Sequence, residues 1–340
     1  YIIYGGDSNC IFESPLFLII VFICQNNSFL FHFINFPYFC NNLIFPIREK
    51  LELTDMQINK ITALFMMLAA VASTAFSQSV HGGTLPPLKP VEKTVYDTAY
   101  VKVYYDFSYR PDSLSKGRKE GQTILLVGDK AQSFVDYFDD RTDFINDSLA
   151  AAKRPPMEAF TMNMGMMKRM AYTYPLVIDR SRNVAIIQVN NVNKYQYTQP
   201  VPEISWQTVE GDTTICDVAC RKAVCRFGGR DWTAWYAPTF DLRTGPYLFG
   251  GLPGLIFSIC DTKDNYRFTL NGLENLSKGV PVYLKSGNKI LHTTRDKVRK
   301  AVENEQADIY KAFQLQNPGA VFTPQAGDTG RRPYNPIELE

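Results

Sequence analysis

Histidine is scarce in this chain. Three occur in 340 residues, and only His81 and His292 lie beyond residue 77. No His-Glu-x-x-His, Gly-x-Ser-x-Gly or Cys-x-x-Cys string is present. The hydrolase signatures built on those strings are missing, and a Ser-His-Asp triad has little material. An excess of one charge is missing too. Lys and Arg number 36 against 34 Asp and Glu, a formal balance of +2. A nucleic-acid footprint needs a concentrated basic face, so no nucleic-acid partner is expected. Also lacking is an apolar run of the ~20 residues that a spanning helix requires. Leu16–Cys24 is far shorter and runs into Gln25, Asn26 and Asn27.

What is present begins oddly. The chain opens on Tyr1, and Leu16–Phe45 is dense in Phe, Ile, Leu, Asn and Cys with no helical or strand period. Those residue types have mostly AT-rich codons, so residues 1–55 read as upstream sequence translated in frame. An export signal follows from Met56. Lys60 supplies the positive start, Ile61–Ala75 is a short apolar core, and Ala75-Phe76-Ser77 has small residues where signal peptidase reads them. Cleavage is expected before Gln78. No Cys follows the core, so no lipid anchor is expected. The expected organisation is a signal peptide at 56–77, one antiparallel-β domain at 78–318 and a flexible, Pro- and Gly-containing tail at 319–340. The mature form is expected to be periplasmic or secreted, with no membrane span.

Within the domain, strand signals recur at short intervals. In Thr98–Tyr109, Val101, Val103, Tyr105 and Phe107 alternate onto one face. Thr123–Val127 and Gln132–Phe138 read as a hairpin turning on Gly128-Asp129. Further strands are expected at 173–178, 184–189, 194–198, 204–209, 213–217, 222–227, 232–236, 255–260 and 266–270. Asp136–Lys153 reads as a helix stopped by Arg154-Pro155-Pro156, and Thr294–Phe313 as a second helix. The expected class is mainly β (α+β), a curved antiparallel sheet or half-barrel with one or two flanking helices.

Four cysteines survive signal removal: Cys216, Cys220, Cys225 and Cys260. An even count in an oxidising compartment predicts disulfides, with three pairings open. Cys220 and Cys225 are an odd step apart, so on a regular strand they face opposite sides. They could pair only across a bulge or turn.

The densest block is Arg230–Asp261, with Trp232, Trp235, Tyr236, Tyr247 and Phe249 as large apolar area. Gly245, Gly250, Gly251 and Gly254 free the backbone there, while Pro246 and Pro253 fix φ. Such a block makes a rigid corner between strands. Its string Gly251-Leu252-Pro253-Gly254-Leu255-Ile256 resembles the GLPGLI family. Ala234-Trp235-Tyr236 followed by Pro238 is similar to that family's Ala-Trp-Tyr-x-Pro, and Gly245, Pro246, Phe249 and Gly251 to its Gly-Pro-x-x-Phe-x-Gly. Upstream, Cys220, Lys222 and Ala223, then Gly229-Arg230, also match, while Thr239-Phe240-Asp241 departs from the pattern. The resemblance implies an exported protein of Bacteroidetes-type Gram-negative bacteria. It carries over no catalytic residue.

A phosphate cradle needs the Gly-rich loop to open a helix, whereas Leu255–Cys260 reads as a strand, so a packed corner is expected. Asp139-Asp140 reads as a helix start favoured by the dipole. Six methionines fall between Pro156 and Tyr172, including Met162, Met164, Met166 and Met167. Thioethers suit Cu(I), but they also make adaptable packing and partner surfaces. The expected function is a non-enzymatic exported envelope protein without a cofactor, a binding or accessory protein for a peptide, a lipid or other small apolar ligand, or an envelope partner protein. The alternatives are copper binding through the methionines and a periplasmic enzyme of unfamiliar type. The export reading predicts a mature N-terminus at Gln78. Mass spectrometry of the purified protein checks it, and a tryptic peptide from before Met56 contradicts it.

Overall fold

The computed structural model describes residues 23–25, 28–30, 86–319 and 327–340. The chain divides into two units, Tyr1–Gly83 and Thr84–Glu340. In the first, β1 (Ile23–Gln25) and β2 (Ser28–Leu30) pair antiparallel. The signal segment at 56–77 and the rest of 1–55 lie outside the described residues.

The second unit runs β3 (Lys93–Tyr109), β4 (Lys119–Gly128), β5 (Ala131–Asp136), α1 (Tyr137–Ala151), α2 (Pro156–Met167) and β6 (Leu176–Asp179). Then come β7 (Val184–Asn190), β8 (Lys194–Pro200), β9 (Gln207–Ile215), β10 (Val218–Phe227), β11 (Arg230–Ala237) and β12 (Leu255–Asp261). β13 (Tyr266–Lys285), β14 (Ile290–His292), α3 (Arg295–Ala307) and α4 (Ile309–Gln316) follow. The twelve strands β3–β14 form one open sheet in the order β14-β8-β7-β6-β5-β4-β3-β13-β12-β11-β10-β9. Within it β14 pairs parallel with β8, and every other pairing is antiparallel. The fold is mainly β, as the strand spacing predicts.

Alternation explains the burial. On β4, Leu125 and Val127 enter the main apolar cluster, while Leu126 between them enters a second one. β6 and β7 divide the same way, with Val177 and Ile186 in the second cluster. Successive side chains on a strand point to opposite faces, so the middle of the sheet is covered on both. Val282 and Leu284 of β13 contribute to the second cover. The β3–β13 ribbon reaches both clusters because its register shifts three times, between Leu270 and Gly272, Asn275 and Val280, and Val282 and Tyr283. Each shift re-aims the side chains that follow.

Several expectations are corrected. Pro155-Pro156 stops α1 but also starts α2, with Pro156 in the first turn where its missing N–H costs nothing. The methionine segment is therefore a helix. The helix expected over 294–313 breaks at Asp308, whose carboxylate accepts from Lys311 N at 3.0 Å and caps α4. Four helices result among the described residues, not one or two. The strands expected at 204–209 and 213–217 are one strand, β9, opposite a register slip between Arg221 and Lys222. The hairpin after β4 turns one residue later than expected. Asp97 of β3 accepts from Lys130 N at 2.6 Å and Ala131 N at 2.9 Å, which fixes it there. Finally, residues 327–340 are docked rather than a free tail, and Ile337 is 2% exposed.

Two carboxylates place α1. Asp136 caps it, accepting from Phe138 N at 2.8 Å and Asp139 N at 3.2 Å. Its other oxygen takes Ala171 N at 2.9 Å and Tyr172 N at 3.0 Å, so it also pins the chain leaving α2. Asp143 faces β13, where Lys285 Nζ lies 2.9 Å from it and 2.7 Å from Asp139, and Tyr283 donates at 3.0 Å. Burial pushes the Asp143 carboxyl up to about 6, against the pull of Lys285. The folded state thus holds a proton that the unfolded chain has released between the ordinary carboxylate value and about 6. Stability falls as pH rises through that window. Asp143→Asn is expected to flatten this part of the stability curve. Lys285→Met is expected to cost about 3 kcal/mol at neutral pH, since it leaves buried carboxylates without their cation. Urea unfolding of both variants across mildly acidic to neutral pH measures the two effects.

Candidate functional site

The motif block builds one corner of the second unit. β11 ends at Ala237, the chain loops through residues 238–254, and β12 returns beside it. Tyr236, Gly245, Pro246, Phe249, Leu252, Gly254, Leu255 and Ile256 are buried, while Pro238, Gly251 and Pro253 are exposed. Trp235 and Gly250 are half-buried. The loop is tied by its backbone: Ile256 N donates to Thr244 O at 3.0 Å, and Trp206 Nε1 donates to Gly250 O at 2.8 Å. Phe249 packs against Trp232 at 4.6 Å between ring centroids and edge-on to Phe227 at 5.5 Å. The corner is rigid and filled.

Against this corner lies the segment Tyr334–Glu340. Arg230, 5% exposed, is its main support. Its guanidinium donates to Ile337 O at 3.0 Å, to Pro336 O at 2.6 Å and to Asn335 Oδ1 at 2.6 Å. Asp261 balances the charge at 3.4 Å. Tyr266 OH donates to Asn335 O at 2.6 Å, and Leu339 N donates to Gly228 O at 2.7 Å. The Gly228-Gly229 turn between β10 and β11 has φ of 58° and 72°. A Cβ on Gly228 would stand 2.8 Å from Glu338 Cγ, so glycine leaves room for the segment as well as making the turn.

The other wall is α3. Glu305 accepts from Asn191, Asn193 and Tyr195, each at 2.6 Å, and locks α3 onto the end of β7 and β8. Arg295 and Arg299, one turn apart, then reach the segment. Arg295 Nη2 donates to Glu338 Oε2 at 2.6 Å, and Arg299 Nη2 to Leu339 O at 2.7 Å. Tyr247 of the motif loop donates a short hydrogen bond to the other Glu338 oxygen. Tyr174, Tyr197, Tyr247, Arg295, Arg299 and Glu338 line a cavity of about 40 Å³. Beside it the Tyr172 hydroxyl is buried with no hydrogen-bond partner among the described residues. Burial and the neighbouring Glu338 hold the Tyr172, Tyr197 and Tyr247 hydroxyls well above their ordinary value, so they stay protonated donors. Chemically, the groove is a row of donors bound to the segment's own carbonyls, one apolar socket around Ile337 and one receptor for the Glu338 carboxylate.

The other expected site residues do not join it. Cys216, Cys220, Cys225 and Cys260 are free thiols, so the expected disulfides are not formed. Cys220 and Cys225 are both buried in the main apolar cluster. But five strand residues span ~16 Å, far beyond the ~7 Å that a disulfide bridges. Cys216 sits in the β9–β10 turn facing Leu270 O at 3.5 Å, and Cys260 faces Asp264 at 3.3 Å. Burial pushes the Cys220 thiol up to about 11 and those of Cys225 and Cys260 up to about 12, so none is a ready nucleophile. The helix α2 disperses the methionines. At 100° per residue Met162 and Met166 lie near one side, and Met164 and Met167 on the other. No group of three or more His, Cys, Asp or Glu suited to a metal ion occurs among the described residues. Asp139 and Asp140 are not simply solvated, since Lys285 and Tyr283 face them.

Of the groove, only the motif side was visible in the sequence. Arg230 stood in the Gly-Arg approach to the motif, but nothing local marked Arg295, Arg299 or Glu338. Gly254 has φ of 149°, and a Cβ there would stand 2.2 Å from Ala237 O. Gly254→Ala is expected to cost more than ~3 kcal/mol or to prevent folding. Gly251, at φ 88° with nothing near its missing Cβ, is expected to lose about 1–2 kcal/mol as Ala. Equilibrium unfolding of the two variants checks that the string is a packed corner and not an open loop.

The chain matches no known protein family and no curated protein sequence. Among solved structures it is similar to PNGF-II in two crystal forms, at 10% and 11% identity and a TM-score of 0.40 in each. The match covers 62% of this chain and 34% of that one, so the chain spans about a third of that protein's length. A likeness of this size carries no argument about activity.

Proposed function

We propose that this chain is an exported envelope protein of the GLPGLI kind, which binds a peptide in extended form without altering it chemically. In this reading the open sheet curves as a half-barrel around the main apolar cluster, and the mature protein works in the periplasm or outside the cell. The carrying observation is the way Tyr334–Glu340 is held. The carbonyls of residues 335, 336, 337 and 339 are bound by side chains of Tyr266, Arg230 and Arg299. Carbonyl contacts are indifferent to sequence, so they suit any extended peptide. Specificity comes from the Ile337 socket and from the Glu338 receptor formed by Tyr247 and Arg295. This is how extended peptides are generally read, backbone bonds for affinity and pockets for choice. The chain's own segment is the resident occupant and marks the preferred ligand, an apolar residue followed by an acidic one.

The reading requires the segment to detach while the sheet stays folded. Hydrogen exchange on the full chain is expected to show Leu339 N–H exchanging at least ~100-fold faster than the amides of Ile256 and Ile259. Equal protection would make the segment an integral part of the core and end the proposal. A labelled peptide of sequence Tyr-Asn-Pro-Ile-Glu-Leu-Glu provides the second arm. The full-length double variant Ile337→Ser, Glu338→Ala is expected to bind it at least ~10-fold tighter than the parent chain, because its own segment competes less. A folded double variant with no gain in affinity overturns the reading.

A further inference from the structure

The methionine helix α2 carries an exposed apolar stripe that belongs to neither apolar cluster. Met157, Phe160, Met164 and Met167 follow the spacing i, i+3, i+7, i+10, which places them within about 80° on the helix surface. They are 56%, 55%, 43% and 58% exposed. Ala159 and Asn163 are the buried residues of α2, and Asn163 Nδ2 donates to Asn146 of α1 at 2.7 Å. The helix is thus anchored by one small and one polar residue, while its large apolar side chains face outward. This inverts the usual arrangement of a surface helix, whose large apolar face turns to the core.

The charges around the stripe indicate what covers it. Lys153 and Arg154 precede α2, Lys168 and Arg169 follow it, and all four are exposed. Glu158 is the sole acid within residues 153–169, and Arg154 pairs with it at 2.8 Å. Arg169 stacks on the Phe138 ring at 4.2 Å. Lys153 and Lys168 make no ion pair among the described residues and stand at the two ends of the stripe. An apolar strip bounded at both ends by cations matches a lipid surface with anionic headgroups, where apolar side chains enter the acyl boundary and lysines meet the phosphates. Methionine and phenylalanine are flexible or flat enough to fit a disordered apolar boundary.

We propose that α2 is a membrane-surface docking helix that lies flat on an anionic lipid bilayer through Met157, Phe160, Met164 and Met167. It is independent of the peptide groove, and each can fail without the other. Co-sedimentation of the full chain with two kinds of vesicle tests it. Binding to mixed phosphatidylcholine–phosphatidylglycerol vesicles is expected, at least ~25-fold tighter than to pure phosphatidylcholine and weakened by added salt. Phe160→Ser with Met164→Ser is expected to abolish binding to both. Lys153→Gln with Lys168→Gln is expected to lose about 25-fold on the anionic vesicles, roughly fivefold per charge. It should leave the weak binding to phosphatidylcholine unchanged. All four positions are exposed, so the variants should keep the circular dichroism of the parent. Absence of vesicle binding overturns the proposal. So does vesicle binding that survives the serine variant, or a dimer in sedimentation that buries the stripe and excludes vesicles.

Discussion

The buried guanidinium of Arg230 is the contact on which the candidate groove depends. Its side chain is 4% exposed and its partner Asp261 is 2% exposed. A charge so enclosed is tolerable only when its donors find acceptors. Asp261 supplies one, and the rest come from Asn335, Pro336 and Ile337, more than a hundred residues away in sequence. Asp261 in turn holds Asn265 Nδ2 at 3.0 Å and Tyr266 N at 2.6 Å, which shapes the β12–β13 turn. Tyr266 then reaches Asn335 O, and its ring lies 5.2 Å from the Arg230 guanidinium. The β10–β11 hairpin, the β12–β13 turn and the C-terminal segment therefore share one electrostatic knot. Breaking it from any side leaves a buried charge without its partners.

That knot explains which parts of the molecule could be read from sequence. Alternation on Val103, Tyr105 and Phe107, or on Leu125 and Val127, is a local signal with one physical cause, burial of one strand face. It located most of the sheet. The turn after β4 was displaced because Asp97, from another strand, binds its amides. The break at Asp308 is hidden because a capping aspartate inside an amphipathic repeat looks like one more polar position. α2 is hidden for the opposite reason: it lacks the buried apolar stripe by which helices are recognised. The segment 327–340 looked like a tail because Pro and Gly punctuate it. Its order comes instead from Arg230, Arg295 and Arg299, and distant partners leave no trace in local composition.

The motif shows the same division. Its glycines and prolines announced a tight corner, and the structure shows the reason at Gly254, whose backbone meets that of Ala237. What the block Arg230–Asp261 does not announce is that Tyr247, in its middle, turns its hydroxyl toward Glu338. A residue counted as apolar bulk in the sequence is thus also a donor at the receptor for that carboxylate. The cysteines erred in the other direction. Export and an even count favoured disulfides, but strand geometry keeps Cys220 and Cys225 apart, and burial makes them small apolar side chains with weak S–H donors.

A groove filled by the chain's own end still sets a quantitative condition on any ligand. A tethered segment has an effective concentration of about a millimolar. A free peptide at micromolar concentration must therefore hold the groove about a thousandfold more tightly, or the resident must be poorly fitted. The contacts show where fit could be gained. Tyr172 keeps a buried hydroxyl with no hydrogen-bond partner among the described residues, beside the cavity. Arg299 spends its donor on a backbone carbonyl, not on a carboxylate. A ligand carrying a second acceptor at this depth would meet the Tyr172 hydroxyl. In the proposed reading the resident is an incomplete occupant, and that incompleteness favours its exchange.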